Sequence, residues 1–239
     1  MKSKKKIAIF LAARSGSKRL PKKHFLEIDK NLRVIDLCIR RLKKTQLTDK
    51  IFLCTTKRKE DYKFKAVCLN HKINLFKGDE KNVLKRFIDC AQKNSIDIIV
   101  RITADCPLID PSIVDKCIKL HYQRKSQYTS NILIFSYPKG LDVEVINIEA
   151  LLKSQKLSKC KRNIEHVTPF IRKSKLFTKH NLKNSINYGN RRWTLDYYKD
   201  YLYLQKVIKF FSSNIFFSWK DLINAEKQYK FLKNIKKRV

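Results

Sequence analysis

The sequence predicts an α/β protein with a mostly parallel sheet flanked by helices, and three observations predict it. Short apolar runs alternate with stretches of helical periodicity over the first half of the chain. Runs that are apolar on both faces belong in a parallel sheet covered by helices on either side. The first run, Ile7 to Ala13, empties directly into a polar loop, and a parallel sheet binds its ligands beyond the carboxyl ends of its strands.

The strand-like segments are Ile7–Ala13, Ile51–Thr55, Ile73–Phe76 and Asp97–Thr103. Between them Ile35, Cys38, Ile39 and Leu42 follow the spacing of one helix face, as do Leu84, Phe87, Ile88 and Ala91. Asp110 is read as the cap of a further helix, with Pro111 at its first position and Ile113, Val114, Cys117 and Ile118 as its apolar stripe. After Tyr128 the pattern loosens. Strands are expected at Leu141–Ile146 and Arg192–Leu195, separated by a helical stretch and a polar segment, Lys179–Asn190. The end reads as helical: Leu204, Val207, Ile208 and Phe211 share a face, and Trp219 to Leu232 is expected to form a last helix. With no linker or repeat, residues 1–239 are expected to make one domain with an irregular insertion at about 128–190 and a helical C-terminus.

Composition narrows the class. The apolar fraction of 43% and length of 239 residues are enough for a full core. No apolar stretch is long enough to span a membrane. The lysines before the first apolar run imitate a secretion leader, but that run is short and Arg14 follows at once, which suits a core strand. The seven cysteines are scattered without a CxxC pair, so a reducing, cytoplasmic setting is expected, with neither a zinc site nor a disulfide framework. The net charge of +34 favours polyanion partners. Its lysines lie along the whole chain and no nucleic-acid motif appears, so a solvated basic surface without a specific nucleic-acid partner is the better reading.

The loop after the first strand carries Arg14, Lys18, Arg19, Lys22 and Lys23, together with Ser15, Gly16, Ser17 and Pro21, and no acid. Neither GxGxxG nor GxxxxGK[ST] is present. A polyphosphate cradled here would therefore use side-chain cations as well as backbone N–H groups. In Ile98–Pro111 an apolar strand delivers Asp105 just past its end, where a carboxylate facing that loop is placed to hold Mg²⁺ with phosphate oxygens. Asp196 ends the run RRWTLD and is a second candidate for the same cation, with Asp142 in GLDVEV as a rival acidic contact. His166 stands beside Glu165 on an expected helix.

These motifs resemble those of cytidylyltransferases of the spore-coat polysaccharide type, within the acylneuraminate and 3-deoxy-manno-octulosonate cytidylyltransferase family. The resemblance rests on Ala13-Arg14-Ser15-Gly16-Ser17-Lys18-Arg19-Leu20-Pro21-Lys22-Lys23, on Thr55-Thr56, on Gly78-Asp79-Glu80 with Val83-Leu84 and Arg86, and on Arg101 through Pro111. Tyr137 through Val145 and Glu165-His166-Val167-Thr168-Pro169 follow in order, so the similarity spans essentially the whole chain. It implies a Rossmann-like, GT-A-like nucleotidyltransferase fold that takes CTP, a sugar acid and Mg²⁺ and yields a CMP-sugar and pyrophosphate for surface polysaccharide or glycan synthesis. A homodimer is suggested by the resemblance alone.

Carried over by position, Arg14, Lys23 and Asp105 would be catalytic. Ala12, Ala13, Ser15, Gly16, Ser17, Arg19, Thr55, Arg86 and Arg101 would join Arg14 and Lys23 around the nucleotide. Asp105 and Asp196 would hold the metal, and Asp142, Glu144, His166 and Arg172 would meet the acceptor. Arg172, Arg191 and Arg192 are all open as the clamp on an acceptor carboxylate, because arginine offers a bidentate fork. The chain departs from the family pattern at Lys22 and Ala104, where glycine is common, and at Arg-Trp-Thr-Leu-Asp, where Val-Asp-Thr-Pro is commoner. Two rivals remain. A glycosyltransferase of related fold would place its metal on a DxD motif, where ADCP stands instead; a basic nucleic-acid-binding protein is favoured by charge alone.

Overall fold

A computed structural model describes residues 5–212 and 214–232. The chain runs from β1 (Ile7–Ala12) through a small hairpin, β2 (Glu27–Asp29) and β3 (Leu32–Arg33), into α1 (Val34–Leu42). Alternation follows: β4 (Ile51–Thr56), α2 (Phe64–His71), β5 (Asn74–Gly78), α3 (Val83–Lys93), β6 (Ile98–Thr103) and α4 (Pro111–Gln123). The second part brings β7 (Tyr128–Ser130), β8 (Glu144–Asn147), α5 (Ile148–Leu157), α6 (Lys161–His166), α7 (Pro169–Lys173) and β9 (Lys179–Asn181). Helices α8 (Tyr198–Phe210) and α9 (Trp219–Gln228) follow.

The main sheet has the order β5-β4-β1-β6-β8-β7-β9. Strands β5, β4, β1 and β6 are parallel, β8 is antiparallel to both β6 and β7, and β9 lies parallel to β7. Side chains alternate across the sheet with the period of two that a strand imposes. Ile9 and Leu11 of β1 face the core shared with α1, α4, α8 and α9, whereas Ala8 and Phe10 face the core shared with α3, α5 and α7. The sheet thus has helices on both faces. From β1 the chain builds outward through β4 and β5, then returns to place β6 on the other side of β1. Strand order reverses between β1 and β6, which is where an open α/β sheet leaves a crevice at its carboxyl edge.

Local signals act as expected at α4. Asp110 accepts from Ser112 N (2.8 Å) through one oxygen and from Trp219 N (2.8 Å) through the other, so the same carboxylate caps α4 and anchors the start of α9. Arg41, buried in α1, donates to the carbonyls of Ile109, Ile215 and Phe217 and ties the segment before α9 to the β6–α4 loop. Burial lowers its pKa to about 10, which leaves it charged at neutral pH.

The sheet differs from the sequence reading in its second half. In residues 128–190, expected to be irregular apart from a strand at Leu141–Ile146 and a helical stretch, the expected strand is β8, and β7 and β9 are additions alongside α5 to α7; at three residues each these two are too short for a clear alternation. Lys179–Asn181, at the start of the polar segment, is an edge strand, where polar side chains discourage further pairing. Arg192–Leu195 is not a strand of the sheet. It makes one isolated bridge, Lys139 to Arg192, and then pairs with the loop after β6 through Leu195 N and Asp105 O (2.8 Å). The last helix stops at Gln228, where Tyr229 turns to extended backbone before a short 3-10 turn over Lys230–Leu232.

Candidate active site

The carboxyl ends of β1 and β6, in register at Ala12 and Thr103, open into a cleft of about 600 Å³. Its walls come from the loop after β1, the end of β6, the start of α3, the end of α6 and the segment before α8. The loop after β1 is held from below by Asp61, which accepts from Ser15 N (2.7 Å) and from Thr56 N (3.3 Å) and its hydroxyl. Burial pushes the Asp61 carboxyl up, but these donors more than offset it, so it stays below its usual range and ionised. The loop ends on Lys22 at φ +53°, a left-handed conformation that L-residues adopt at a cost. That geometry explains why glycine suits this position, and why Lys23 immediately after it turns inward.

Lys23 is buried, with 9% of its side chain exposed. Its ammonium donates to Leu195 O (2.8 Å) and lies 3.5 Å from both Asp105 Oδ2 and Asp196 Oδ1. Burial raises the Asp105 carboxyl, but Lys23, the Thr103 hydroxyl and His24 pull it below its usual value. Asp196 behaves likewise: burial is outweighed by Arg192 and Lys23. Neighbouring His24 is buried and its pKa falls to about 4, through desolvation first and the Lys23 charge second, so it is neutral and its Nδ1 has no protein partner.

Asp105 and Asp196 therefore form a two-carboxylate site whose centre is held by an ammonium. Two hard oxygen donors suit a Mg²⁺ that completes its shell from phosphate and water. Asp105 is the less occupied of the two, with 32% of its side chain exposed. Asp196 accepts from Arg19 Nη2 through one oxygen and from Arg192 Nη2 through the other, both at 2.8 Å. Among the described residues no group of three or more His, Cys, Asp or Glu side chains gathers to bind a metal. The donor set fits a cation shared with a phosphate ligand, not a closed protein cage.

A second cavity of about 270 Å³ adjoins the cleft and shares Arg101 and His166 with it; Glu144, Arg162, Thr168 and Arg172 complete its polar wall. Arg101 on β6 and Glu144 on β8 are register partners across the antiparallel pair and form an ion pair. Burial lowers the Arg101 pKa, but Glu144 more than reverses this and keeps it charged. Of the three arginines open as an acceptor clamp, Arg172 alone lines this cavity, oriented by its bond to Ile132 O (3.3 Å). Arg191 pairs with buried Glu226 (3.1 Å), and Arg192 pairs with Asp196 and Asp200.

Of the residues expected in the site, Ala12, Ala13, Arg14, Gly16, Ser17, Arg19, Lys23, Arg86, Arg101, Asp105, His166 and Asp196 line the cleft. Glu144 and Arg172 lie on the second cavity, whereas Ser15, Thr55 and Asp142 line neither. Arg86 is buried and grips the Asp79 and Glu80 carbonyls, so it shapes the turn before α3. Asp142 accepts from Gly140 N (3.1 Å), and burial raises its pKa to about 6. The cleft also includes residues the sequence reading gave no role: Arg58, His24 and Glu165. Arg58 follows the end of β4, so the strand-end rule would have reached it. Glu165, 3.5 Å from Arg14 across the cleft mouth, carries no such signal.

A family model described as Cytidylyltransferase matches residues 8–236. An uncharacterized protein of Methanocaldococcus jannaschii is 37% identical over 209 residues, covering 84% of both chains. The spore coat polysaccharide biosynthesis protein SpsF of Bacillus subtilis is 30% identical over 171 residues, 70% of each. Among solved structures, a cytidylyltransferase from Leptospira borgpetersenii superposes with a TM-score of 0.92 at 27% identity, covering 99% of this chain and 100% of that one. A strand-end cleft of this design on a Rossmann-like nucleotidyltransferase fold, matched by that model over nearly its full length, makes this chain a member of the cytidylyltransferase family.

Proposed function

We propose that the protein transfers CMP from CTP to the hydroxyl of a sugar acid of the nonulosonic type, releasing pyrophosphate, with Mg²⁺ as cofactor. The observation that carries this reading is the junction of the two cavities: a basic strand-end cleft with a carboxylate pair opens onto a smaller arginine-rich cavity through Arg101 and His166. Two compartments meeting at one wall suit a nucleotide and an acceptor that must meet at one phosphorus.

The loop from Ala13 to Lys23 would take the triphosphate, with Arg14, Arg19 and the Gly16 backbone N–H as its donors. The acceptor oxygen attacks the α-phosphorus as the bond to the bridging oxygen breaks, and pyrophosphate leaves with that electron pair. Positioning and fixed positive charge supply most of the rate in such a transfer. Lys23 and Arg14 would offset the charge gathering on the leaving group, and His166, in the wall of both cavities, would take the hydroxyl proton. Asp105 would hold Mg²⁺, with Asp196 as second carboxylate; when bound, the ion neutralises phosphate charge. Arg172 would orient the acceptor carboxylate.

A screen of CTP, UTP, ATP and GTP against N-acetylneuraminate, legionaminate, pseudaminate and 3-deoxy-manno-octulosonate, read by pyrophosphate release, tests the reading. CTP with one of the nonulosonic acids should give turnover, lost in Asp105→Ala. Release that needs no acid, or near-normal turnover in Asp105→Ala, would overturn it.

A further inference from the structure

Glu144 is an acid on a cavity wall that carries three arginines, yet none of its charge is available to a ligand. Its Oε1 accepts from the Tyr128 hydroxyl (2.6 Å) and the Thr168 hydroxyl (2.6 Å), and its Oε2 takes Arg101 Nη1. Only 2% of its side chain is exposed. The Arg101 guanidinium it holds stands in the wall of both cavities, and Arg101 Nε has no acceptor in the protein. Arg172 is fixed beside it by the Ile132 carbonyl. With Glu144 spent on Arg101, the cavity presents Arg101, Arg162 and Arg172 against no free acid.

We propose that Arg101 is a specificity-determining residue that selects an anionic acceptor, and that Glu144 is the positioning residue that aims it, locked in turn by Tyr128 and Thr168. This rests on the two-compartment reading proposed above and deepens it: the smaller cavity is an anion subsite, and the boundary with the nucleotide is set by one ion pair spanning β6 and β8. The sheet provides the rigidity. Arg101 and Glu144 face each other by strand register, so the guanidinium cannot swing without breaking a buried pair. An acceptor carrying a carboxylate would meet a preset fork and supply the counter-charge that the cavity wall lacks at Arg162 and Arg172, which a neutral sugar would not.

Two titrations separate the halves of the site. α,β-Methylene-CTP with Mg²⁺, titrated into the free protein, reads the nucleotide cleft. N-Acetylneuraminate, 3-deoxy-manno-octulosonate and pyruvate, each titrated into protein saturated with that analogue, read the anion subsite. Glu144→Gln keeps the shape and the acceptor for Tyr128 and Thr168 but turns an amide toward Arg101. It should weaken acid binding roughly tenfold or more while nucleotide affinity stays within about threefold. Tyr128→Phe touches neither cavity, and should weaken the acid in the same direction by a smaller factor. Equal loss of acid and nucleotide, unchanged acid binding in both variants, or no binding of any of the three acids to the wild type would overturn the proposal. Failure of the nucleotide analogue to bind counts instead against the function proposed above, and acid titrations into the nucleotide-free protein then still decide the roles of Arg101 and Glu144.

Discussion

The Lys23 ammonium lies 3.5 Å from the Asp105 carboxylate and is itself buried, while Asp105 keeps 32% of its side chain exposed to the cleft that both residues line. The lysine expected to grip phosphate thus stands between the two carboxylates expected to grip metal. On the proposed function, Lys23 would exchange these carboxylates for phosphate when a divalent cation binds between them.

Removing the placeholder should expose the cation site. In Lys23→Met, Mn²⁺ affinity measured by electron paramagnetic resonance without nucleotide should rise roughly tenfold, because two facing carboxylates lose their counter-charge. Pyrophosphate release from CTP should fall by roughly 10²-fold in the same variant. Unchanged Mn²⁺ affinity would show that the metal is held elsewhere.

The buried Asp142 carboxyl gives a pH signature. Its folded pKa is raised to about 6 while the unfolded chain titrates near the ordinary carboxylate value of about 3.9. Between those values the native state binds more protons, so its contribution to stability is greatest in acid and is lost as pH rises through the folded pKa, by up to about 3 kcal/mol. Asp142→Asn keeps an oxygen for Gly140 N and removes the charge. Its melting temperature should exceed that of wild type by roughly 3–8 °C at pH 8 and converge with it at pH 4; equal melting at both pH values would contradict the assignment.

Lys22 tests the loop that delivers Lys23. At φ +53° a glycine is free of the strain that a side chain carries. Lys22→Gly should raise stability in urea by about 0.5–1 kcal/mol without lowering CTP affinity. A destabilised variant would mean that the exposed lysine contributes contacts outweighing its backbone cost.

Gly140 makes the opposite case. At φ +110°, an added Cβ would stand 2.7 Å from the Trp193 carbonyl carbon and 2.9 Å from Thr194 N. Those backbone atoms lead directly to Leu195 and Asp196, the partners of Lys23. Gly140→Ala should cost roughly 2–3 kcal/mol in denaturant unfolding, and pyrophosphate release should drop in the fraction that still folds. Neutral behaviour would show that this segment yields freely.

The parallel half, β8 and the last two helices were legible in the sequence, whereas β7 and β9 were not. Six-residue strands such as β1 and β6, and the Asp110-Pro111 start of α4, announce themselves through runs of Ile and Val or through capping chemistry. β7 and β9, at three residues each, are defined by their neighbours in the sheet and leave no period to read. The cleft followed from strand ends, which pointed to the basic loop after β1 and to Asp105; the family resemblance then singled out Arg14 and Lys23 within that loop. What the sequence hid was pairing at a distance: that Glu144 spends its charge on Arg101, and that Asp196 arrives already matched to Arg19 and Arg192. Such partners are set by register and packing, and no local motif encodes them.

The order of the sheet carries an implication for how such proteins diverge. The phosphate-facing loop grows from the parallel half, whereas Glu144, His166 and Arg172 come from the antiparallel half and its short helices. Within the sheet the two halves meet at β6 against β8, and α3 and α4 of the first half also pack on α5, α6, β7 and β8 of the second. On the proposed function, the acceptor cavity draws Glu144, Arg162, Thr168 and Arg172 from one half and Arg101 from the other, so a change of acceptor would need matched changes on both sides of the β6–β8 pair.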